Sequence, residues 1–160
     1  MVYSVEEVAK YFLRKSSPGT IWAIDPLKLQ KLTFYGEAYY LAISGGTHER
    51  LINDCEFEAW VHGPVCRKLW QKYSNYGYDD IPTYVGKTEL DEDEFATFVL
   101  DFVWNKYGHE SGKTLEMRTH NEDPWKNARG NKSPQSRSRS IISIENMFDF
   151  YKDEININYM

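Results

Sequence analysis

Cysteine is scarce: Cys55 and Cys66 are the only two in 160 residues. That is too few for a disulfide scaffold at this length, and both are read as buried free thiols suited to a reducing compartment. Long apolar runs are missing as well. No stretch of about 18 or more apolar residues occurs, and the opening "MVYSVEEVAK" has no basic segment followed by an apolar core, so neither a membrane span nor a secretory leader is expected. These absences point to the cytoplasm. Basic excess is missing too, because the formal charge is −5, which gives no global attraction to nucleic acid. The sequence contains no G-x-S-x-G, H-E-x-x-H, Walker A or dinucleotide fingerprint.

Aromatic residues are abundant. Five Trp, twelve Tyr and eight Phe imply a core of large flat side chains, some keeping a polar tip near the surface, and they also suit partner recognition. With 41% apolar and 27% charged residues, the composition is that of a globular protein, and the length favours one domain over residues 1–160.

Hydrophobic spacing divides the chain into helices around one short strand. Ser4-Val5-Glu6-Glu7 forms a capping box ahead of Val5, Val8, Ala9, Phe12 and Leu13, a single apolar stripe ended by Ser16-Ser17-Pro18-Gly19. A second helix opens with Asp25 as N-cap and Pro26 in its first turn, and runs to Gly45-Gly46. Its apolar residues cover nearly every side, which places it at the centre of the domain. Lys28 and Lys31 near its N-terminus oppose the helix dipole and call for acidic partners. In "CEFEAWVHG" the period changes to two, the signature of a strand, which Gly63-Pro64 ends; Pro64 then opens a helix carrying Val65, Leu69, Trp70 and Tyr73. Tyr84-Val85 is a candidate second strand. Asp91 caps a helix bearing Phe95, Phe98, Val99, Phe102 and Val103. A shorter helix from about Ser111 breaks before Pro124, and a last helix follows Ser143. Between them "PWKNARGNKSPQSRSRS" holds Lys126, Arg129, Lys132, Arg137 and Arg139 without an acid and reads as a mobile basic loop over about residues 126–140.

Candidate chemistry is thin. Cys55, His62 and Cys66 lie close in sequence but lack a C-x-x-C pair and a fourth ligand, and nothing local sets either cysteine beside an imidazole, so no metal, cofactor or catalytic residue is assigned. His62, after a strand and before Gly-Pro, suits a structural corner shielded by Trp60 and Trp70, and His120 ahead of Pro124-Trp125 suits loose backbone ends. An alternative places His62 and His120 with a carboxylate such as Glu58 around a metal or a proton. The basic loop suits an acidic protein surface or, as a further alternative, phosphates with Trp125 for stacking.

The order "VAKYFL", "PLKLQKLTFYGEAYYLA", "FEAWVHGPVCRKLWQKY", "THNEDPW" and a closing Ile-Ser-x-Glu helix resembles the Panacea domain of SocA-like antitoxins, a family that includes GepA-type phage-associated proteins. Lys28, Gln30, Lys31, Tyr35, Gly63, Pro64, Tyr73, His120 and Pro124 are among the matching positions. The resemblance implies a mainly α (α+β) fold, here a single-domain bundle of about five to six helices around a central buried helix with a small β element. It also implies a non-enzymatic antitoxin that binds and neutralises a toxin protein encoded nearby, with delivery to a protease in at least one branch. Binding is then expected through Trp60, His62, Trp70 and Trp125, or through Arg129, Arg137 and Arg139 of the basic loop.

Overall fold

A computed structural model of the chain describes residues 1–158. Helix α1 (Val5–Lys15) begins where Ser4 Oγ accepts the Glu7 amide at 3.4 Å. Only half of the capping box forms, because the Glu7 carboxylate turns to Lys10 Nζ and to the Glu89 amide. Helix α2 (Pro26–Ser44) is capped by Asp25 Oδ1, which accepts the Lys28 amide at 2.8 Å, and ends at Gly45 in the left-handed conformation. Every residue from Lys28 to Leu41 is buried. The expected central helix is present.

The rest wraps around α2. A hairpin of β1 (Glu58–Trp60) and β2 (Gly63–Val65) leads into α3 (Arg67–Tyr73) and a 3-10 turn; α4 (Glu94–Tyr107), α5 (Gly112–His120), α6 (Asp123–Arg129) and α7 (Ile144–Asn158) follow. Helices α1, α3, α4, α5 and α7 all pack on α2. Gly36 makes the α2–α4 approach possible, since a Cβ there would lie 2.9 Å from Leu100 Cδ2. The aromatic surplus fills this core: Tyr35 stacks on Tyr107 at 4.2 Å, and the Tyr39 and Tyr107 hydroxyls share a hydrogen bond of 2.9 Å. Tyr35 and Tyr151 both donate to Glu122 Oε1, at 2.7 and 2.8 Å. Burial, stronger than these two hydrogen bonds, raises the Glu122 carboxyl to about 7. Glu37, buried on α2, accepts the Leu51 and Ile52 amides and ties down the loop after the helix.

Several expectations need correction. The chain forms seven α-helices among the described residues, one more than the spacing marks, because α6 occupies the start of the segment read as a loop. Gly63-Pro64 does not end the β element: Val61 and His62 make the turn, Gly63, at φ 103°, opens β2, Pro64 pairs with Ala59 within it, and α3 starts only at Arg67. Tyr84-Val85 forms no strand. Asp93, not Asp91, caps α4 through the Ala96 amide at 3.0 Å, while Asp91 receives both terminal nitrogens of Arg14. Cys55 and Cys66 are not free thiols. The hairpin folds Cys55 back beside the N-cap of α3, and the two form a disulfide with Cα atoms 6.1 Å apart; free thiols therefore no longer support a reducing compartment. No helix among the described residues is long and apolar enough to cross a membrane.

Candidate functional site

Two consecutive side chains of α2 hold the hairpin. Gln30 spans the Cys66 backbone, its Oε1 accepting the amide at 2.8 Å and its Nε2 donating to the carbonyl at 3.0 Å. Lys31, fully buried, donates from Nζ to the Pro64 carbonyl at 3.0 Å. Burial pushes its amine down to about 7, against the pull of Glu116. Lys28 is likewise met by carbonyls, those of Ile21 and Gly108, so neither lysine takes the direct acidic partner expected for it. A Cβ on Gly63 would sit 2.7 Å from Lys31 Cε and 3.0 Å from Thr119 Oγ1, so this turn is glycine for space as well as for its backbone angle. The "KLQKL" and "HGPVC" segments are two halves of one clamp.

The clamp places an open cleft of about 620 Å³ between α2, the hairpin, α3 and the start of α5. Its apolar walls include Leu29, Trp60, Val65, Leu69, Trp70 and Tyr73. Trp60 and Trp70 lie 6.1 Å apart, tilted at 55°. Trp70 is 50% exposed and Tyr78, at the mouth, 99%. Glu116, a single turn before His120 on α5, lines the polar side. Burial acts to raise its pKa, but contacts with His62 and Lys113 outweigh that and keep the carboxyl below its ordinary value.

The structure separates the residues grouped by sequence. Trp60, His62, Trp70 and Tyr73 share the cleft, with Lys31 beneath it. His62 is exposed, with Nδ1 3.2 Å from Glu116 Oε1. His120 instead stacks on Trp125 at 4.2 Å and takes a hydrogen bond with the Val61 backbone; burial, the largest influence, lowers its pKa. Glu58 accepts from Trp60 Nε1 and pairs with Arg67, so the proposed His62–His120–Glu58 centre does not assemble. With both cysteines in a disulfide, neither a thiolate nucleophile nor a cysteine zinc site is available. Among the described residues no group of three or more His, Cys, Asp and Glu side chains is placed to hold a metal ion.

Trp125 and Arg129, expected to reach a partner, point inward. Trp125 is 5% exposed and donates to the Trp60 carbonyl at 2.8 Å; Arg129 is 4% exposed and donates to the carbonyls of Ala59, Ser133 and Ser136. The segment expected to be mobile is thus wound around a buried guanidinium, and residues 140–142 bond to the outer edge of β1. Arg137 and Arg139 remain exposed on its surface. Pro124 lies buried in the first turn of α6.

A family model described as antitoxin SocA-like, Panacea domain, matches residues 29–126. The chain belongs to that family. The matched span contains Gln30 and Lys31, the hairpin, α3 and α5, and so the whole clamp and most of the cleft of this Panacea domain. No curated protein and no solved structure matches the chain. Among the cleft residues that sequence reasoning missed are Tyr78, Lys113 and, on the polar side, Glu116. Its only local signal is its place on the helical face shared with Thr119 and His120, which is too little to separate it from an ordinary surface glutamate.

Proposed function

We propose that this Panacea-family chain is the antitoxin of a bacterial or phage toxin–antitoxin pair and neutralises its toxin by direct protein–protein binding, without making or breaking a bond. The toxin segment enters the cleft beside Trp60 and Trp70, and delivery of the captured toxin to a protease is a further step of the same reading. The observation that carries it is the open cleft, lined by aromatic side chains and rimmed by exposed Trp70 and Tyr78, within the family-matched part of the chain. Such a surface supplies rigid contact area at low entropic cost, which is what partner recognition requires. His62 contributes at the rim, and Arg137 and Arg139 offer a second, polar contact region.

Co-expression with the product of the adjacent gene tests this. That product alone should arrest growth, the present chain should restore it, and Trp70→Ala combined with Tyr78→Ala should lose restoration while remaining folded. A non-toxic neighbour, or rescue unaffected by both cleft substitutions, would refute the reading. Toxin half-life in cells with and without this chain tests the protease step, which requires a shorter half-life in its presence.

A further inference from the structure

The basic segment carries its charges at fixed places. Arg129, buried, gathers the carbonyls of Ala59, Ser133 and Ser136. The chain that follows is laid against β1, where the Ser140 carbonyl accepts the Ala59 amide and the Ile142 amide donates to the Phe57 carbonyl, each at 2.8 Å. Burial then alternates with period two: Ser138 and Ile142 are buried, whereas Arg137, Arg139 and Ile141 are exposed, Ile141 at 59%. Ile141 stands opposite Glu58 as the antiparallel pair between those two bonds, so its own N–H and C=O point away from β1. Among the described residues the backbone groups of Ile141 and Arg139 take no hydrogen bond. The outer side of the hairpin therefore ends in an open edge.

Charge decides what fits that edge. From Pro124 to Ser140 the chain has no acid, and Arg137 and Arg139 enter no ion pair among the described residues, whose paired arginines are Arg14, Arg50, Arg67 and Arg118. Lys132, in the same segment, donates to the hydroxyls of Ser138 and Ser140. Glu58, across the bridge, is neutralised by Arg67 and accepts Trp60 Nε1, and Glu145, at the start of α7, accepts Ser143 Oγ. A second copy of this edge would set arginine against arginine, the pairing that charged edges discourage. An acidic strand brings opposite charges into register, and an edge already held in place loses little freedom on pairing. Phosphates would meet the arginines yet leave the N–H and C=O of Ile141 unused.

We propose that residues 139–141 are an open β-edge that receives an extended acidic segment of a protein partner, paired through its backbone with Ile141 and through its carboxylates with Arg137 and Arg139. This rests on the chain acting by protein–protein binding and gives the chemistry of the contact region at Arg137 and Arg139; the cleft takes no part in it.

The test is amide NMR of the full chain titrated with acetyl-Glu-Val-Glu-Val-Glu-amide, its glutamine counterpart, and a fully N-methylated counterpart that keeps the charges and offers no N–H. The acidic peptide should shift the Arg139 and Ile141 amides and protect the Ile141 amide from exchange. It should bind about tenfold more tightly than the glutamine peptide, the range of two opposite-charge cross-strand pairs, and the N-methylated peptide should give no protection. Arg137→Gln with Arg139→Gln should abolish the preference for glutamate. Ile141→Pro, which deletes an N–H that bonds nothing within the chain, should weaken both unmethylated peptides. Equal affinity for the glutamate and glutamine peptides, no shift at Arg139 and Ile141, or affinity unchanged by both N-methylation and Ile141→Pro overturns the proposal. So does tighter binding of an oligothymidylate that Ile141→Pro leaves unchanged, which makes the strip a phosphate site. The two readings fail separately. A neighbouring gene product without toxicity overturns the antitoxin reading and leaves the peptide result standing, whereas rescue of growth without peptide pairing overturns the edge and leaves the antitoxin reading intact.

Discussion

Replacing Gly63 by alanine probes the clamp directly. Gly63 has φ 103°, where an L residue is strained, and its added Cβ would lie 2.7 Å from Lys31 Cε, 3.0 Å from Thr119 Oγ1 and 3.1 Å from Lys31 Nζ. Backbone strain of this kind costs about 1–3 kcal/mol. Pushing aside the buried Lys31 stem, whose amine is fixed on Pro64, adds about 1–3 kcal/mol. A total near 4 kcal/mol, about the middle of that range, is a large part of the stability of a domain this size, commonly about 5–15 kcal/mol. Gly45 supplies the control, since it sits at φ 91° with nothing within 4 Å of its added Cβ. Gly45→Ala should cost only the left-handed backbone term, about 1–2 kcal/mol. Urea unfolding followed by tryptophan fluorescence measures both variants, and their difference isolates the collision with Lys31. If Gly63→Ala and Gly45→Ala agree to within about 0.5 kcal/mol, the ordinary tolerance for unrelated sites, the clamp is not as tight as described.

The remaining expectations concern the core, the wound segment and the cysteines. Glu122 is raised above its unfolded value of 4.5 to about 7 by burial, so the folded state favours its protonated form. Its contribution is fully present below pH 4.5 and is lost as pH climbs through 7. The loss is about 3 kcal/mol, and Glu122→Gln should flatten the pH dependence of urea stability between pH 4.5 and 8 by that much; an unchanged slope would refute the assignment. Arg129→Met, which strands the carbonyls of Ala59, Ser133 and Ser136, should cost about 3–5 kcal/mol and speed tryptic cleavage after Arg137 and Arg139. Arg139→Gln, on the surface, should cost under about 0.5 kcal/mol, and the reverse ranking would remove the case for a buried anchor. Thiol titration of the native, unreduced protein should find no reactive cysteine, and two after reduction, with stability falling by up to about 3 kcal/mol for so short a loop; two free thiols before reduction would contradict the pairing.

What the sequence discloses of this fold is what depends on neighbours along the chain. The stripe Val5–Leu13, the all-round apolar surface of α2 and the caps Ser4 and Asp25 follow from spacing within one element, and each stands in the structure. Misreadings arise where a distant group decides. Gly63-Pro64 resembles a helix entrance until Lys31, from another element, pulls the Pro64 carbonyl and makes room for a second strand. Helix α6 has seven residues, too few for an apolar stripe to emerge, and its Arg129 counts as a surface charge in any local window. Asp91 and Asp93 are equally good caps by type; Arg14, far away in sequence, claims the first. Trp60 and Trp70, singled out in the sequence as exposed recognition aromatics, line the cleft, where Tyr73 joins them only through the fold, and Glu116 comes to face it only when α5 is set against the hairpin.

The residues that build the cleft and those that border it are different. Gln30 and Lys31 lie inside the protein and hold the β-turn by its backbone, while Trp70 and Tyr78 stand 50% and 99% exposed. Exposed positions of this kind usually exchange at a cost within about 0.5 kcal/mol. A scaffold arranged in this way can be retuned to a new client by a few changes at its rim, because the shape of the receptacle is guaranteed from behind.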